Sequence, residues 1–368
     1  MEKKDLINVI VKEGTSIKTA MKQMDSTGLK ILFVVDSSGS LIGAMTDGDF
    51  RRWILDGKSC NEDVRNPCNK NPITFSSEDY DIEKIKQIMI KERLECVPII
   101  DGNRTITDAL FREDVFGNKY KKAKKALTVP VAIMAGGEGS RLSPFTKILP
   151  KPLIPLNEKP IAEVIMDRFA EFGCDEFYLL LGYKGVMIQS YFDNAKSGHK
   201  PIYMYEKEPS GTAGSLKLLS DKLSTDSLFV SNCDILIEAD YANMYESHLK
   251  NNCDITIVGA MRHFVIPYGV IDMGPGGNIG KLIEKPEYDF LVNTGMYILN
   301  KNTLSYIPKK GKFDFTELIK KTREKGGKIS VYPVSEKSWL DIGQIELLEE
   351  AVSGTLGEKW SRMKRGAA

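Results

Sequence analysis

The stretch from Val129 to Leu156, VPVAIMAGGEGSRLSPFTKILPKPLIPL, constrains this chain more than any other segment. Its apolar start predicts a buried parallel strand, and the strand runs directly into a Gly-Gly-x-Gly turn. Glycines allow sharp bends and bring backbone N–H groups close to anionic oxygens. The stretch therefore predicts a strand that ends in a phosphate-binding loop.

Two cations follow the glycines. Arg141 and Lys151 are spaced so that a curled loop can place both on one polyphosphate. Prolines at 144, 150, 152 and 155 fix φ and keep the intervening backbone out of a helix. Lys151 is therefore expected to project from a stiffened, extended segment.

Two common glycine-loop motifs are excluded. A Walker A loop ends in Gly-Lys-Ser/Thr, whereas this loop has Gly139-Ser140-Arg141. A dinucleotide-binding loop needs a third small residue at the start of its helix and an acidic strand end about twenty residues later, and this stretch has neither.

The stretch instead resembles the GGxGxRLxPxTxxxPKPLxP signature of sugar-phosphate nucleotidylyltransferases. The resemblance implies that Arg141 holds the leaving β- and γ-phosphates. It implies that Lys151 bridges the α-phosphate and the incoming sugar phosphate. The nucleotide-binding residues that it implies in the loop are Ala135, Gly136, Gly137 and Gly139.

A second glycine-bearing segment, from Glu206 to Ser215, resembles the EPLGTAG segment of that family, with Ser210 in place of the usual Leu. In relatives it lies over the nucleobase, so Glu208, Gly211 and Thr212 are expected at the nucleotide. A carboxylate at 208 could accept from guanine N1–H and N2–H, which favours GTP. A helix N-terminal acid without a base-reading role is the alternative.

Two carboxylates are candidates for a metal. Asp234 follows the predicted strand that begins at Leu228, and Asp341 lies in a Trp-x-Asp-x-Gly segment that matches the family. The resemblance implies that both bind Mg²⁺, with Asp234 also counted as catalytic. Magnesium commonly takes one or two carboxylates together with phosphates, so two are sufficient.

Three short segments resemble the sugar-binding parts of the family: Pro-Tyr-Gly-Val, Glu-Lys-Pro and Asn-Thr-Gly-Met-Tyr. In relatives the Glu and Asn hold sugar hydroxyls and the Lys meets the sugar phosphate, which suits their hydrogen-bonding groups. The expected sugar-phosphate residues are Tyr268, Gly269, Glu284, Lys285 and Asn293.

The first third of the chain contains an internal repeat, from about Asn8 to Gly57 and from about Val64 to Gly117. Each copy predicts strand, amphipathic helix, two strands around a Gly turn and a final helix. The copies resemble a tandem pair of cystathionine-β-synthase (CBS) domains, and neither could bury its sheet alone.

The CBS resemblance implies a nucleotide ligand at Thr46 and Asp49, with Gly43 allowing close approach. An ordinary helix N-cap is the alternative for Asp49. The arginines at 51 and 52 are expected within reach of an anionic ligand, and a solvated helix face is the alternative for them. In the second copy the matching positions are Phe111 and Asp114, so the hydroxyl is missing and a second site is in doubt.

Bulk composition limits the possible partners. The 368 residues carry 51 Lys and Arg against 50 Asp and Glu, a net charge of +1, which argues against a nucleic-acid binder. No apolar run approaches the roughly 20 residues of a membrane span, and the N-terminus lacks a signal-peptide core. The six scattered cysteines fit a reducing compartment. A cytoplasmic protein with no membrane partner is expected.

These patterns predict an α/β chain with a CBS pair of α+β type at 1–121, a catalytic domain at 129–352 and a basic tail at 353–368. Strands alternating with helices predict a doubly wound, mostly parallel, Rossmann-like sheet of the nucleotide-diphospho-sugar transferase type, with ligands at the carboxyl ends of its strands.

The combined resemblance is to bacterial enzymes that make activated sugars for surface glycans, including guanylyltransferases of legionaminic acid pathways. It implies GTP and glucosamine 1-phosphate as substrates, Mg²⁺ as cofactor and a homo-oligomer, with an adenine nucleotide as a candidate ligand of the CBS pair. Uridylyl or cytidylyl transfer to another hexose 1-phosphate is the alternative. An alternative of another class is a nucleotide-sensing CBS module with a degenerate transferase domain.

Overall fold

The computed structural model of the chain describes residues 3–27, 29–92, 94–116, 126–156, 158–194 and 197–343, without the side chains of 3–5, 113 and 114. These residues form two compact units, 3–116 and 126–343. Residues 117–125 between the units, residues 344–352 at the end of the predicted catalytic domain and the basic tail 353–368 lie outside the described residues. No helix in the described ranges is long and apolar enough to cross a bilayer.

The first unit contains two copies of one plan, as the internal repeat predicts. Each copy has a three-stranded sheet in which a parallel pair is followed by an antiparallel hairpin. The elements are α1 Lys3–Asn8, β1 Ile10–Lys12, α2 Ile17–Thr27, β2 Ile31–Val35, β3 Leu41–Thr46 and α3 Asp47–Leu55, then β4 Phe75–Ser76, α4 Ile82–Lys91, β5 Cys96–Ile100, β6 Ile106–Phe111 and α5 Arg112–Phe116.

One apolar cluster is shared by the two copies. Phe33 and Leu41 of the first copy are buried together with Cys96 and Ile106 of the second. The turns also meet, because the amide of Leu41 donates to the carbonyl of Arg104 at 2.9 Å. Each sheet therefore has a face that is buried by the other copy and would be exposed to solvent without it.

The second unit is built on a seven-stranded sheet with strand order β11-β10-β7-β12-β17-β14-β18. Its strands and helices are β7 Val131–Ala135, β8 Pro155–Leu156, β9 Lys159–Pro160, α6 Ile161–Ala170, β10 Phe177–Leu181, α7 Gly185–Asn194, β11 Ile202–Tyr205, β12 Ser227–Asn232, β13 Ile235–Ile237, α8 Tyr241–Lys250, β14 Ile255–Val265, β15 Val270–Met273, β16 Ile279–Ile283, β17 Glu287–Asn300, α9 Phe315–Glu324, β18 Ile329–Val334 and β19 Trp339–Asp341.

The predicted α/β fold with a mostly parallel sheet is confirmed. Strands β11, β10, β7 and β12 are parallel to one another, whereas β17 runs antiparallel to both of its neighbours. The central strands are buried on both faces and therefore read as continuous apolar runs. The order reverses between β7 and β12, so the loops after these strands meet at one crevice.

The apolar segment after Gly214 forms a 3-10 turn, Gly214–Leu219, and not an α-helix. Its apolar residues Leu216 and Leu219 are buried, and the amide of Ser220 donates to the carbonyl of Lys217. An apolar pattern this short fits a 3-10 turn as well as an α-helix.

Candidate active site

The glycine-rich loop leaves β7 and curls through three 3-10 turns, Ser140–Leu142, Phe145–Lys147 and Lys151–Leu153. The prolines exclude a longer helix, as predicted. Gly139 has φ +64°, a left-handed conformation that a glycine adopts without strain. The buried Thr146 hydroxyl donates to the carbonyl of Gly139 at 3.0 Å, so the loop folds back on itself.

The two predicted metal ligands are brought together by a small antiparallel ribbon. Ile235 of β13 pairs with Asp341 of β19, and the amide of Ile342 donates to the carbonyl of Asp234 at 2.8 Å. Residues more than one hundred positions apart in the sequence are thus placed side by side. The register of the β13–β19 pair fixes the position of Asp341 relative to Asp234, which follows the end of β12.

Lys151 joins the two carboxylates at Gly343. A methyl group built on Gly343 would lie 2.8 Å from Asp341 Oδ1, 3.0 Å from Asp234 Oδ2 and 3.1 Å from Lys151 Nζ. All three charged groups therefore crowd the one α-carbon, and only glycine leaves room for them. Three of the four charged side chains predicted to act together, Lys151, Asp234 and Asp341, thus lie at one point, and Arg141 is not among the three groups nearest to this methyl position at Gly343.

Lys151 forms an ion pair with Asp234, and the two side chains are only 11% and 13% exposed. Because both side chains are largely shielded from water, their electrostatic attraction is stronger than that of an ion pair on the surface. Beside them, burial and the charge of Asp234 raise the pKa of the Cys233 thiol to about 12. Cys233 is therefore a neutral thiol at neutral pH and not a nucleophile.

The donor set is suited to magnesium. In the described residues no cluster of three or more His, Cys, Asp or Glu side chains could enclose an ion by itself. Asp234 and Asp341 offer two hard carboxylates at one point, and Mg²⁺ commonly binds through one or two carboxylates plus substrate phosphates. The residues present fit a magnesium ion that is shared with a phosphate ligand.

The remaining predicted phosphate ligands lie in the loop itself. Arg141 is exposed on the first 3-10 turn, and within the described residues its guanidinium pairs with neither Asp234 nor Asp341. Gly137 has open space above its α-carbon. Ala135, the last residue of β7, is buried. The phosphate roles of these residues stay predictions.

The segment expected over the nucleobase presents a carboxylate that the sequence reasoning missed. Glu206 follows β11, and its Oε2 accepts from the amide and the hydroxyl of Ser210 at 2.9 and 2.6 Å. Its Oε1 would lie 2.4 Å from a methyl group built on Gly136. Glu206 thus links the two glycine-bearing loops, whereas Glu208 is exposed. The rule that ligands bind beyond the ends of parallel strands could have indicated Glu206.

Gly211 and Gly214 both lie against other parts of the chain, and the predicted nucleotide contact of Gly211 stays a prediction. Gly211 has φ +85°, and a methyl group there would lie 2.7 Å from the carbonyl of Phe313. On Gly214 a methyl group would lie 2.7 Å from Ser210 Cβ. Both glycines are therefore required by the packing of the chain on itself.

Thr212 is also engaged within the protein. Its amide and hydroxyl donate to Asp314 Oδ1 at 2.7 and 3.0 Å, which lowers the pKa of Asp314. Asp314 is the N-cap of α9 and forms a capping box with Glu317. The predicted contact of Thr212 with a nucleotide stays untested, but its position is fixed by α9.

The predicted sugar residues fall on two neighbouring parts of the unit. A methyl group on Gly269 would lie 3.0 Å from Glu284 Oε2, because β15 and β16 pair there. Tyr268, Glu284 and Lys285 are exposed, and Lys285 has φ +43°. The hairpin therefore brings the Pro-Tyr-Gly-Val and Glu-Lys-Pro segments together.

Asn293, the remaining predicted sugar residue, lies on β17. Its Nδ2 donates to the hydroxyl of Tyr297 at 2.7 Å, and burial raises the pKa of that tyrosine. A methyl group on Gly295 would lie 2.3 Å from Asn232 Nδ2, and Asn232 precedes Cys233 and Asp234. Asn232, which the sequence reasoning overlooked, thus connects the sugar segment with the predicted metal site.

The predicted CBS ligand residues are engaged with each other. Thr46 is the N-cap of α3, and its amide and hydroxyl donate to Asp49 Oδ2 at 2.8 and 2.6 Å. Arg52 pairs with the other oxygen of Asp49, and Arg51 pairs with Asp47. Asp49 is therefore the N3 residue of a capping box and not the N-cap that the alternative named. Ribose binding at Asp49 stays a prediction.

The expectation for Gly43 was wrong. A methyl group there would lie 2.5 Å from Cys68 Sγ and 3.0 Å from the carbonyl of Asn69, so the chain itself occupies this space. Asn69 forms a bridge with Ala44 at the same place. In the second copy, Phe111 ends β6, and the side chain of Asp114 lies outside the described residues.

The chain matches two known families. Residues 131–357, more than half of the chain, match the nucleotidyl transferase family, and residues 4–56 match the CBS domain. The first region contains the whole site built around Gly343. The second coincides with the first copy of the repeat.

Several curated proteins are similar to the second unit. The mannose-1-phosphate guanyltransferase of Yarrowia lipolytica is 34% identical over 222 residues, 58% of this chain and 60% of that protein. The UTP–glucose-1-phosphate uridylyltransferase of Synechocystis sp. is 29% identical over 247 residues, 62% and 63% of the two chains.

The D-glycero-alpha-D-manno-heptose 1-phosphate guanylyltransferase of Aneurinibacillus thermoaerophilus is 31% identical over 186 residues, 50% of this chain and 80% of that protein. The chain spans only about 60% of the length of the first two relatives. The match over residues 131–357 and the site that these residues form agree with the resemblance of the glycine-rich loop. The chain belongs to the nucleotidyl transferase family.

Proposed function

We propose that the chain transfers a guanylyl group from GTP to a sugar 1-phosphate, giving a GDP-sugar and pyrophosphate. The convergence of Lys151, Asp234 and Asp341 on Gly343 is the observation that carries this proposal. An oxygen of the sugar phosphate bonds to the α-phosphorus, the bond from that phosphorus to the β-phosphate oxygen breaks, and pyrophosphate leaves. The attacking phosphate is already anionic, so no general base is needed and positioning dominates.

Each charged side chain has a proposed part in this step. Lys151, which pairs with Asp234 in the structure, bridges the α-phosphate and the incoming phosphate. Arg141, exposed on the loop, holds the leaving β- and γ-phosphates. Asp234 and Asp341 would hold a magnesium ion, whose charge neutralises the phosphates when it is bound.

We assign base recognition to Glu206 in preference to Glu208. Ser210 fixes one oxygen of Glu206, and the other lies at Gly136 where the phosphate loop begins. A carboxylate placed there can accept from the adjacent N1–H and N2–H donors of guanine. Two of the relatives above are guanylyltransferases, which supports GTP, and one is a uridylyltransferase, which keeps uridylyl transfer as the alternative.

The sugar is proposed to bind between the β15–β16 hairpin and Asn293. Gly269 and Glu284 are adjacent there, and Glu and Asn side chains offer complementary hydrogen bonds to sugar hydroxyls. Glucosamine 1-phosphate, for use in surface glycans, is the first candidate. Mannose and heptose phosphates are the substrates named for two of the relatives and belong in the same test.

The full chain tested with four nucleoside triphosphates against several sugar 1-phosphates decides the proposal. We expect magnesium-dependent pyrophosphate release that is fastest with GTP. Glu206→Gln should lower kcat/KM for GTP about 10-fold or more, because an unpaired buried polar group costs about 1–3 kcal/mol. Glu208→Gln is the matched control and should change little. Pyrophosphate release with UTP alone would replace guanylyl with uridylyl transfer.

The CBS pair is proposed to assemble or regulate the enzyme. Binding of AMP, ADP or ATP to the full chain, lost in Asp49→Ala, would assign a nucleotide to the first copy. Absence of binding would leave assembly into a homo-oligomer as its role. Pyrophosphate release by the full chain would exclude the alternative in which the chain only senses nucleotides.

A further inference from the structure

Lys184 reaches from the turn after β10 to the glycine-rich loop. Its Nζ lies 3.2, 2.5 and 3.0 Å from the carbonyl oxygens of Thr146, Lys147 and Ile148. An ammonium has three N–H donors, so three consecutive carbonyls use all of them. These carbonyls lie at the end of the 3-10 turn Phe145–Lys147, where helical carbonyls lack partners and a cation is favourable.

The same turn also holds the start of the loop. The amide of Tyr183 donates to the carbonyl of Gly136 at 3.0 Å, and a methyl group on Gly182 would lie 2.7 Å from that oxygen. Lys184 itself has φ +52°, a left-handed conformation that is unfavourable for a residue with a Cβ atom. Tyr183 thus holds the loop at Gly136, and Lys184 holds it at residues 146–148 while adopting a strained backbone conformation.

Movement of the clamped turn would be transmitted to Lys151. Thr146, whose carbonyl Lys184 holds, donates its hydroxyl to the carbonyl of Gly139. A methyl group on Gly139 would lie 3.0 Å from Thr146 Cγ2 and 3.5 Å from Lys151 Cβ. Thr146, Gly139 and Lys151 therefore pack against one another in sequence, so that a shift of the turn would move Lys151.

We propose that Lys184 is a positioning residue for nucleotidyl transfer, which holds the loop in the shape that aims Arg141 and Lys151 at the phosphates. The proposal rests on the proposed roles of those two cations. In Lys184→Met the loop loses three hydrogen bonds while the fold keeps its core. We expect kcat to fall about 10²-fold, as for misplacement of a reacting group by about 1 Å. KM for the sugar 1-phosphate should change little.

Hydrogen exchange of the full chain, measured without substrate, tests the clamp separately from the reaction. The amides of Ile148 and Leu149, which donate to the carbonyl of Phe145 at 3.0 Å each, should exchange faster in Lys184→Met, and those of β10 should not. Lys184→Arg keeps the charge and the donors and should restore most of kcat. Lys200→Met, at an exposed lysine outside the loop, is the matched control and should be unchanged.

The outcomes separate the two proposals. Faster exchange together with the kcat loss supports the positioning role. Wild-type exchange in Lys184→Met refutes the clamp, and faster exchange with wild-type kcat refutes the positioning role. A wild-type chain that turns over no substrate pair refutes the proposed function, and the positioning role with it, even if the exchange result confirms the clamp.

Discussion

Gly343→Ala is the sharpest perturbation of the site because it changes no charge. The new methyl group would be closer than an ordinary 3.4 Å contact to three charged groups: by 0.6 Å to Asp341 Oδ1 (3.4 − 2.8), by 0.4 Å to Asp234 Oδ2 (3.4 − 3.0) and by 0.3 Å to Lys151 Nζ (3.4 − 3.1). Gly343 does not have a positive φ, so alanine brings no backbone strain. Relief therefore requires the charged groups to move apart by about half an ångström.

A shift of that size should lower kcat about 10-fold, since misplacement by about 1 Å can cost 10²-fold. The assay is pyrophosphate release at saturating substrates, with the midpoint of urea unfolding measured in parallel. Gly198→Ala, at a glycine with open space and no positive φ, is the control and should keep wild-type rates. Wild-type kcat in Gly343→Ala would refute the convergence on which the site depends.

Three further predictions test the surroundings of the site. Gly43→Ala should lower the free energy of unfolding by about 1–3 kcal/mol through overpacking against Cys68, and adding Cys68→Ala should recover part of it in urea unfolding. Arg168→Met should cost about 3–5 kcal/mol by removing the cation 2.6 Å from buried Glu238; a loss below 1 kcal/mol would contradict this. Folding lowers the pKa of Asp314, so its ionised carboxylate adds to the free energy of unfolding above about pH 4, and this contribution is lost as the pH falls through the lowered pKa. Asp314→Asn should therefore lower the free energy of unfolding at pH 7 but much less at pH 3. Equal losses at the two pH values would contradict the assignment.

Local sequence patterns were sufficient for much of the fold. The apolar run before Gly136 predicts β7 because a strand buried on both faces is composed mostly of apolar residues. The repeat predicts the two sheets of the first unit because each copy carries the same strand and turn pattern. Asp234 and Asp341 were identified by resemblance, and the β13–β19 pairing explains why they meet.

Contacts between distant segments could not be predicted in the same way. Phe313 packs against Gly211 from about one hundred residues later in the chain, and no local pattern indicates this contact. Lys184 carries no motif, and only the folded loop shows that its ammonium meets three carbonyls. Gly43 likewise faces Cys68 rather than a nucleotide. A glycine in the sequence therefore indicates that another group lies close to the backbone, but it does not show whether that group is a ligand or another part of the chain.

Pyrophosphate release by Lys151→Ala, with GTP, magnesium and the sugar 1-phosphate that the wild-type chain uses best, tests most directly whether this site transfers a nucleotidyl group. Lys151 is the cation that meets both carboxylates at Gly343. We expect a folded protein whose turnover falls about 10³-fold or more, by analogy with other cations of phosphoryl transfer. Wild-type turnover by that variant would contradict this expectation.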